Sequence, residues 1–173
     1  MTRVKIDGLR DLANARVAAD AGADFVGFVF APARRYVAPE IVQSIARDLP
    51  SSVQKVGVFV NEDLATIRAI VRGCGLDYAQ LCGDESPDFC RDLRVPAVKS
   101  LQVQGPEIAA EVARYADHVA WSILDGYRPN VYGGTGATFD WSLARELAGQ
   151  FPIMVAGGLT PENVSATIEL AAP

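Results

Sequence analysis

Histidine is almost missing from this sequence: His118 is the only one in 173 residues, and it is read as a surface residue rather than a metal ligand. Cysteine is also scarce. Cys74, Cys82 and Cys90 form an odd set with no C-x-x-C pair, which argues against a disulfide framework and against a zinc site. There is no excess of basic residues. Lys and Arg number 16 against 21 Asp and Glu, for a net charge of −5, so the basic patch needed for sequence-independent nucleic-acid binding is not expected. A small anionic substrate stays open, because one local site can be positive on an acidic protein. No apolar run reaches the length of about 18 residues that a transmembrane helix needs. The start, Met1-Thr2-Arg3-Val4-Lys5-Ile6-Asp7, is too short and too polar to read as a signal peptide. No linker, low-complexity tract or charge run divides the chain. The expectation is one cytoplasmic domain over residues 1–173, with no nucleic-acid or membrane partner, as a monomer or homodimer.

What is present is alternation. Half of the residues are hydrophobic, enough for a sizeable core. Short β-branched runs at Arg3–Ile6, Phe25–Phe30, Gln54–Val60, Tyr78–Leu81, Ala97–Leu101, Val119–Leu124 and Ile153–Ala156 read as strands. Between and after them lie helix-like stretches at Leu12–Ala21, Pro39–Leu49, Leu64–Gly73, Pro87–Leu93, Pro106–Tyr115, Ser142–Ala148 and Pro161–Leu170. Pro39, Pro87, Pro106 and Pro161 suit a first helical turn, Thr160 suits an N-cap, and Gly22 and Gly75 fall where helices should stop. Alternating strands and helices imply a parallel sheet, since parallel strands need crossover connections. Two architectures fit: an open doubly wound sheet, or a (βα)8 barrel lacking its last unit. Periodicity does not separate them.

The strand ends carry the polar and glycine residues, where both architectures place their sites. Val4-Lys5-Ile6-x-Gly8, Arg35-Tyr36-Val37, Val56 to Asn61 and Gln80-Leu81-x-Gly83-Asp84-Glu85 follow one another along the chain. They are followed by Leu124-Asp125, Gly133-Gly134-Thr135-Gly136 with Phe139-Asp140-Trp141, and Ala156-Gly157-Gly158-Leu159-Thr160-Pro161-Glu162-Asn163-Val164. Each motif alone is weak; their order and spacing together are specific. The set resembles the signature of phosphoribosylanthranilate isomerase over essentially the whole chain. The resemblance implies a fold of the α/β, (βα)8 TIM-barrel type. It also implies a cofactor-free Amadori rearrangement of a phosphosugar in tryptophan biosynthesis, with no metal.

That reaction needs an acid and a base on opposite sides of one sugar, a cation for the anthranilate carboxylate and a cradle for the phosphate. By resemblance, Asp125 is the general acid; read from the residues alone, it could instead cap its loop, although its place at a strand end before a glycine loop favours function. Arg35 matches the arginine that pairs with the anthranilate carboxylate, a task that suits a planar guanidinium fork. Arg34 beside it is a surface residue or a second contact. Gly157 and Gly158, ahead of a helix N-terminus, suit a phosphate cradle, although a plain strand-to-helix turn also favours glycine. Gly134, Thr135 and Gly136 belong to a substrate-side loop, or to a merely flexible one.

Two departures from the family stand out. The family's general base is a cysteine, where this chain has Asp7. A thiol titrates near ~8.5 and a carboxyl near ~3.9 in model peptides, so the driving force for proton transfer differs. A carboxylate can serve if its surroundings raise its proton affinity, and Lys5 or Arg35 would work against that. The related isomerase of histidine biosynthesis has an aspartate in the corresponding place. Asp7 is therefore a working base or a lesion. The second departure is at the other end. The family continues past the Pro161–Leu170 helix with an eighth strand and helix, so the barrel is expected to be C-terminally incomplete at Pro173. A catalytically impaired phosphosugar-binding paralogue, or a fragment of the enzyme, is the alternative. Cys82 stands where the family often has histidine and is read, with Cys74 and Cys90, as a small buried residue. Trp121 and Trp141 are read as core or loop anchors.

Overall fold

A computed structural model of the chain describes residues 2–127 and 136–171. Seven strand–helix pairs follow in strict alternation. The strands are β1 (Lys5–Asp7), β2 (Phe25–Val29), β3 (Gln54–Phe59), β4 (Tyr78–Leu81), β5 (Ala97–Val103), β6 (Trp121–Gly126) and β7 (Ile153–Val155). The helices are α1 (Leu12–Asp20), α2 (Pro39–Arg47), α3 (Leu64–Cys74), α4 (Pro87–Leu93), α5 (Ile108–Tyr115), α6 (Ser142–Ala148) and α7 (Val164–Ala171). They gather into two compact units. One comprises Arg3–Leu81 with Asp92–Pro96, the other Cys82–Arg91 with Ala97–Pro173.

In the first unit the strands run parallel in the order β1-β2-β3-β4. A doubly wound sheet would start at an inner strand and reverse; this order follows the chain from one edge, as a barrel wall does. The register sets Lys5 opposite Phe25 and Asp7 opposite Gly27. Phe25, Val26, Phe28, Val42, Val56, Phe59, Ile67 and Leu81 are fully buried. The two faces of β2 and β3 are thus both covered, which explains why these strands read as unbroken apolar runs. Asp63 caps α3 by accepting from the N–H groups of Ala65 (2.9 Å) and Thr66 (3.0 Å), and the Thr66 bonds hold its carboxyl below the usual range. Gly75, at φ +63°, closes the same helix in the left-handed conformation that glycine adopts without strain. Among the described residues β1 has one ladder, to β2, and Val4 and Ile6 are exposed at 44% and 41%.

In the second unit the order is β5-β6-β7, again parallel. Gln102 lies opposite Asp125, and Leu124 opposite Val155. Val98, Val112, Leu124 and Ala144 fill its interior. Trp121 is buried there too, as expected of a core anchor; Trp141 is half-buried just before α6.

All seven expected strands and helices are present, with shifted ends. β1 begins two residues later than expected and takes in Asp7. β6 extends through Asp125 and Gly126, because ladder bonds to β5 continue to Val103. α7 starts at Val164 rather than Pro161. The Asn163 side chain accepts from the Thr160 N–H (2.8 Å) and donates to the Gly158 carbonyl (2.8 Å), so it organises a turn before the helix. α5 likewise starts two residues after Pro106. His118 is partly exposed, its backbone N–H donating to the Tyr115 carbonyl at 2.8 Å. No helix among the described residues is long and apolar enough to cross a membrane.

The second unit encloses a charge pair among its described residues. Lys99 and Glu85 have side chains only 2% exposed and meet at 2.9 Å. Lys99 also donates to the Gly83 carbonyl at 2.6 Å, and the Tyr115 hydroxyl donates to the Glu85 carbonyl at 2.9 Å. Charges this dry are tolerated only when paired. Removing one partner should therefore be expensive. Lys99→Met is expected to cost about 3–5 kcal/mol in urea unfolding, and adding Glu85→Leu to recover a substantial part of it.

Candidate active site

The residues singled out from the sequence fall into two sets, one in each unit. In the first unit, Asp7 ends β1 with its side chain on the same face as Lys5, two residues earlier, as the alternation of a strand requires. The Lys5 ammonium donates to Asp7 Oδ1. Their exposures differ sharply: 3% for the Lys5 side chain and 46% for that of Asp7. Arg35 reaches back from the loop after β2, and its Nη1 donates to the Asp7 backbone carbonyl at 3.2 Å. Its side chain packs over Gly8, which has φ +77°. The Gly8 and Leu9 N–H groups both donate to the Gly27 carbonyl, at 2.9 and 3.2 Å, fixing the turn out of β1.

Gly27 and Lys5 escaped the reading of the sequence as site residues. A Cβ on Gly27 would overlap Asp7 Oδ1 and lie 3.2 Å from Lys5 Nζ. The glycine therefore clears the space in which the ion pair sits. The available signal was an isolated glycine inside the strand Phe25-Val26-Gly27-Phe28-Val29, a mark of close approach by another group.

In the second unit, Asp125 lies at the carboxyl end of β6 and is only 6% exposed. Its Oδ1 accepts the N–H of Gly126 at 2.8 Å. Gly157 (φ +82°) and Gly158 (φ +64°) follow β7 in left-handed conformations. A Cβ on Gly157 would come within 2.6 Å of Asp125 Oδ1, the Gly126 nitrogen and the Ala137 carbonyl oxygen. A Cβ on Gly158 would meet Thr138 Cγ2 and the Gly136 carbonyl. The backbone after β7 thus packs directly against Asp125 and against the segment beginning at Gly136. Gly134 and Thr135 lie outside the described residues.

The cysteines are all buried, as expected. Burial pushes the Cys74 thiol up, and takes that of Cys90 up to about 11, against a smaller downward pull from Lys99. Both stay protonated near neutral pH and are poor nucleophiles. Among the described residues no group of three or more His, Cys, Asp or Glu could hold a metal ion.

A family model described as N-(5'phosphoribosyl)anthranilate (PRA) isomerase matches residues 4–173. The chain belongs to this family. An N-(5'-phosphoribosyl)anthranilate isomerase of Desulforudis audaxviator is 46% identical over 174 residues, covering 100% of this chain and 85% of the relative. One from Syntrophomonas wolfei is 45% identical, with 100% and 84% covered. Phosphoribosyl anthranilate isomerase from Thermotoga maritima, a crystal structure, superposes with a TM-score of 0.91 at 36% identity, covering 100% of this chain and 85% of that one. A further solved member, 34% identical with a TM-score of 0.88, was crystallised in complex with reduced 1-(o-carboxyphenylamino)-1-deoxyribulose 5-phosphate; 100% of this chain and 84% of that one are covered. The fold is accordingly the α/β, (βα)8 barrel type, with seven βα units among the described residues.

The Gly27 clearance can be tested directly. Gly27→Ala is expected to displace the Asp7 carboxylate from Lys5 in a crystal structure and to lower stability by about 1–3 kcal/mol, the usual cost of overfilling a packed site.

Proposed function

We propose that this chain isomerises N-(5-phosphoribosyl)anthranilate to 1-(2-carboxyphenylamino)-1-deoxyribulose 5-phosphate, as a cytoplasmic enzyme of tryptophan biosynthesis. One observation carries the reading. Across a family match over residues 4–173, the two carboxylates we assign as base and acid each stand at the carboxyl end of a parallel strand, Asp7 on β1 and Asp125 on β6. Strand carboxyl ends are where barrel enzymes keep their chemistry.

Asp125 gives a proton to the ring oxygen of the aminoaldose. The C1–O bond breaks, the nitrogen lone pair forms an iminium at C1, and the former ring oxygen leaves as the C4 hydroxyl. Asp7 then removes the proton on C2. The electrons of that C–H bond quench the iminium, giving an enolamine that tautomerises to the aminoketose. Each bond change is assisted by the transfer of a proton, so an acid and a base suffice. The burial of Asp125 suits a group that must donate in a water-poor setting. Arg35, anchored on the Asp7 carbonyl, offers the rest of its guanidinium fork to the anthranilate carboxylate. Gly157 and Gly158, free of side chains, let main-chain groups approach the phosphate.

The second reading, a phosphosugar binder without turnover, draws on Asp7 itself, because a carboxylate is a weaker base than the family's thiolate. Steady-state kinetics with freshly made substrate, following loss of its fluorescence, separates the two. Asp125→Asn should lower kcat by on the order of 10²–10⁴, since no donor then opens the ring. Asp7→Cys should raise kcat/KM, because the neighbouring ammonium favours a thiolate at neutral pH. Equal or lower activity of Asp7→Cys would mean a site adapted to a carboxylate; full activity of Asp125→Asn would remove that residue from the mechanism.

A further inference from the structure

The contrast within the Lys5–Asp7 pair asks for an explanation. A lysine on a strand end ordinarily threads its ammonium outward to water. Here the ammonium end is the covered partner and the carboxylate is the open one, with exposures of 3% and 46%. A pair with one half in solvent contributes little to stability, so its geometry has to be understood in another way.

The backbone around Asp7 is held from several sides. β1 is in register with β2, the Gly8 and Leu9 N–H groups donate to Gly27, and Arg35 donates to the Asp7 carbonyl. The carboxylate itself has one bonding partner among the described residues, Lys5, through Oδ1. A Cβ on Gly27 would fall on Asp7 Oδ1, so the glycine on the neighbouring strand gives the carboxylate its room but no side-chain bond. Of the charged groups facing Asp7 in its unit, Arg35 binds the main chain, and only Lys5 fixes the direction of the side chain.

We propose that Lys5 is the positioning residue for the strand-one base: its ammonium pins Oδ1 of Asp7 and leaves Oδ2 turned outward as the oxygen that accepts the C2 proton. This rests on the isomerase reading above. Proton transfer from carbon tolerates little angular error, and a freely rotating carboxylate spends much of its time misaligned. Lys5 is too covered to bind the substrate itself, so it acts on turnover and not on affinity.

The test compares Lys5→Met and Lys5→Arg with the parent chain, in steady-state kinetics and in crystal structures. Lys5→Met, close in length and without charge, is expected to lower kcat roughly 10- to 100-fold while KM stays within about twofold, because substrate binding does not involve it. Lys5→Arg restores a donor and should regain part of kcat. In the Lys5→Met structure the Asp7 side chain should leave its single orientation beside Gly27. Unchanged kcat in Lys5→Met, a rise in KM alone, or Asp7 held in the parental orientation would overturn the proposal. If Lys5→Met does not fold, Lys5→Leu, which also lacks a donor, takes its place under the same criteria. A parent chain without turnover would contradict the isomerase reading alone; the Asp7 orientation in the variant structures would then decide the role of Lys5.

Discussion

The ladder between β1 and β2 is the constraint on which the first half of the site depends. It is only three residues long, yet its register sets Asp7 opposite Gly27 and Lys5 opposite Phe25. A slip of one residue would turn Lys5 and Asp7 to the opposite face, where Val4 and Ile6 now lie exposed. It would also bring Asp7 opposite a residue with a side chain, and the carboxylate would lose its room. The polar pair and the glycine that accommodates it are therefore one feature, written on two strands that are about 20 residues apart in sequence.

The second unit solves a similar problem with backbone. Asp125 is almost fully buried, a costly place for a carboxyl without hydrogen bonds. It accepts the Gly126 N–H, and Gly157 has no Cβ to intrude on it. Both glycines after β7 adopt positive φ, a conformation in which a side chain is strained. The same choice serves packing and chemistry: a main chain that can lie this close to Asp125 can also lie close to a ligand.

Most of the architecture was legible in the sequence. Apolar runs bounded by proline, glycine and capping residues give every strand and helix its place, because a covered parallel strand and an amphipathic helix leave distinct patterns. The ends were less legible. Whether Asp7 and Asp125 lie inside β1 and β6 depends on ladder bonds to a neighbouring strand, which a local pattern does not contain. The α7 start was obscured because Thr160-Pro161 has the form of a capped helix, while the Asn163 side chain in fact claims the turn. Asp125 and Arg35 stood out because the motifs that carry them resemble the family's; read alone, Asp125 could cap its loop and Arg35 could be a surface residue. Gly27 did not, and Lys5 entered only as a charge that would act on Asp7, because their importance comes from being adjacent to Asp7 in space. The buried Lys99–Glu85 pair was hidden for the same reason: neither residue type announces burial until its partner is seen.

The account stands on the claim that the chain turns over the family's substrate with a carboxylate where the family has a thiol. Growth of a tryptophan-requiring strain lacking this isomerase, supplied with the unmodified chain, tests that claim most directly. Growth without tryptophan that is lost with Asp125→Asn is the predicted result. No growth from a chain that is expressed, folded and able to bind the reduced product analogue would contradict it, and would leave a binding protein in place of an enzyme.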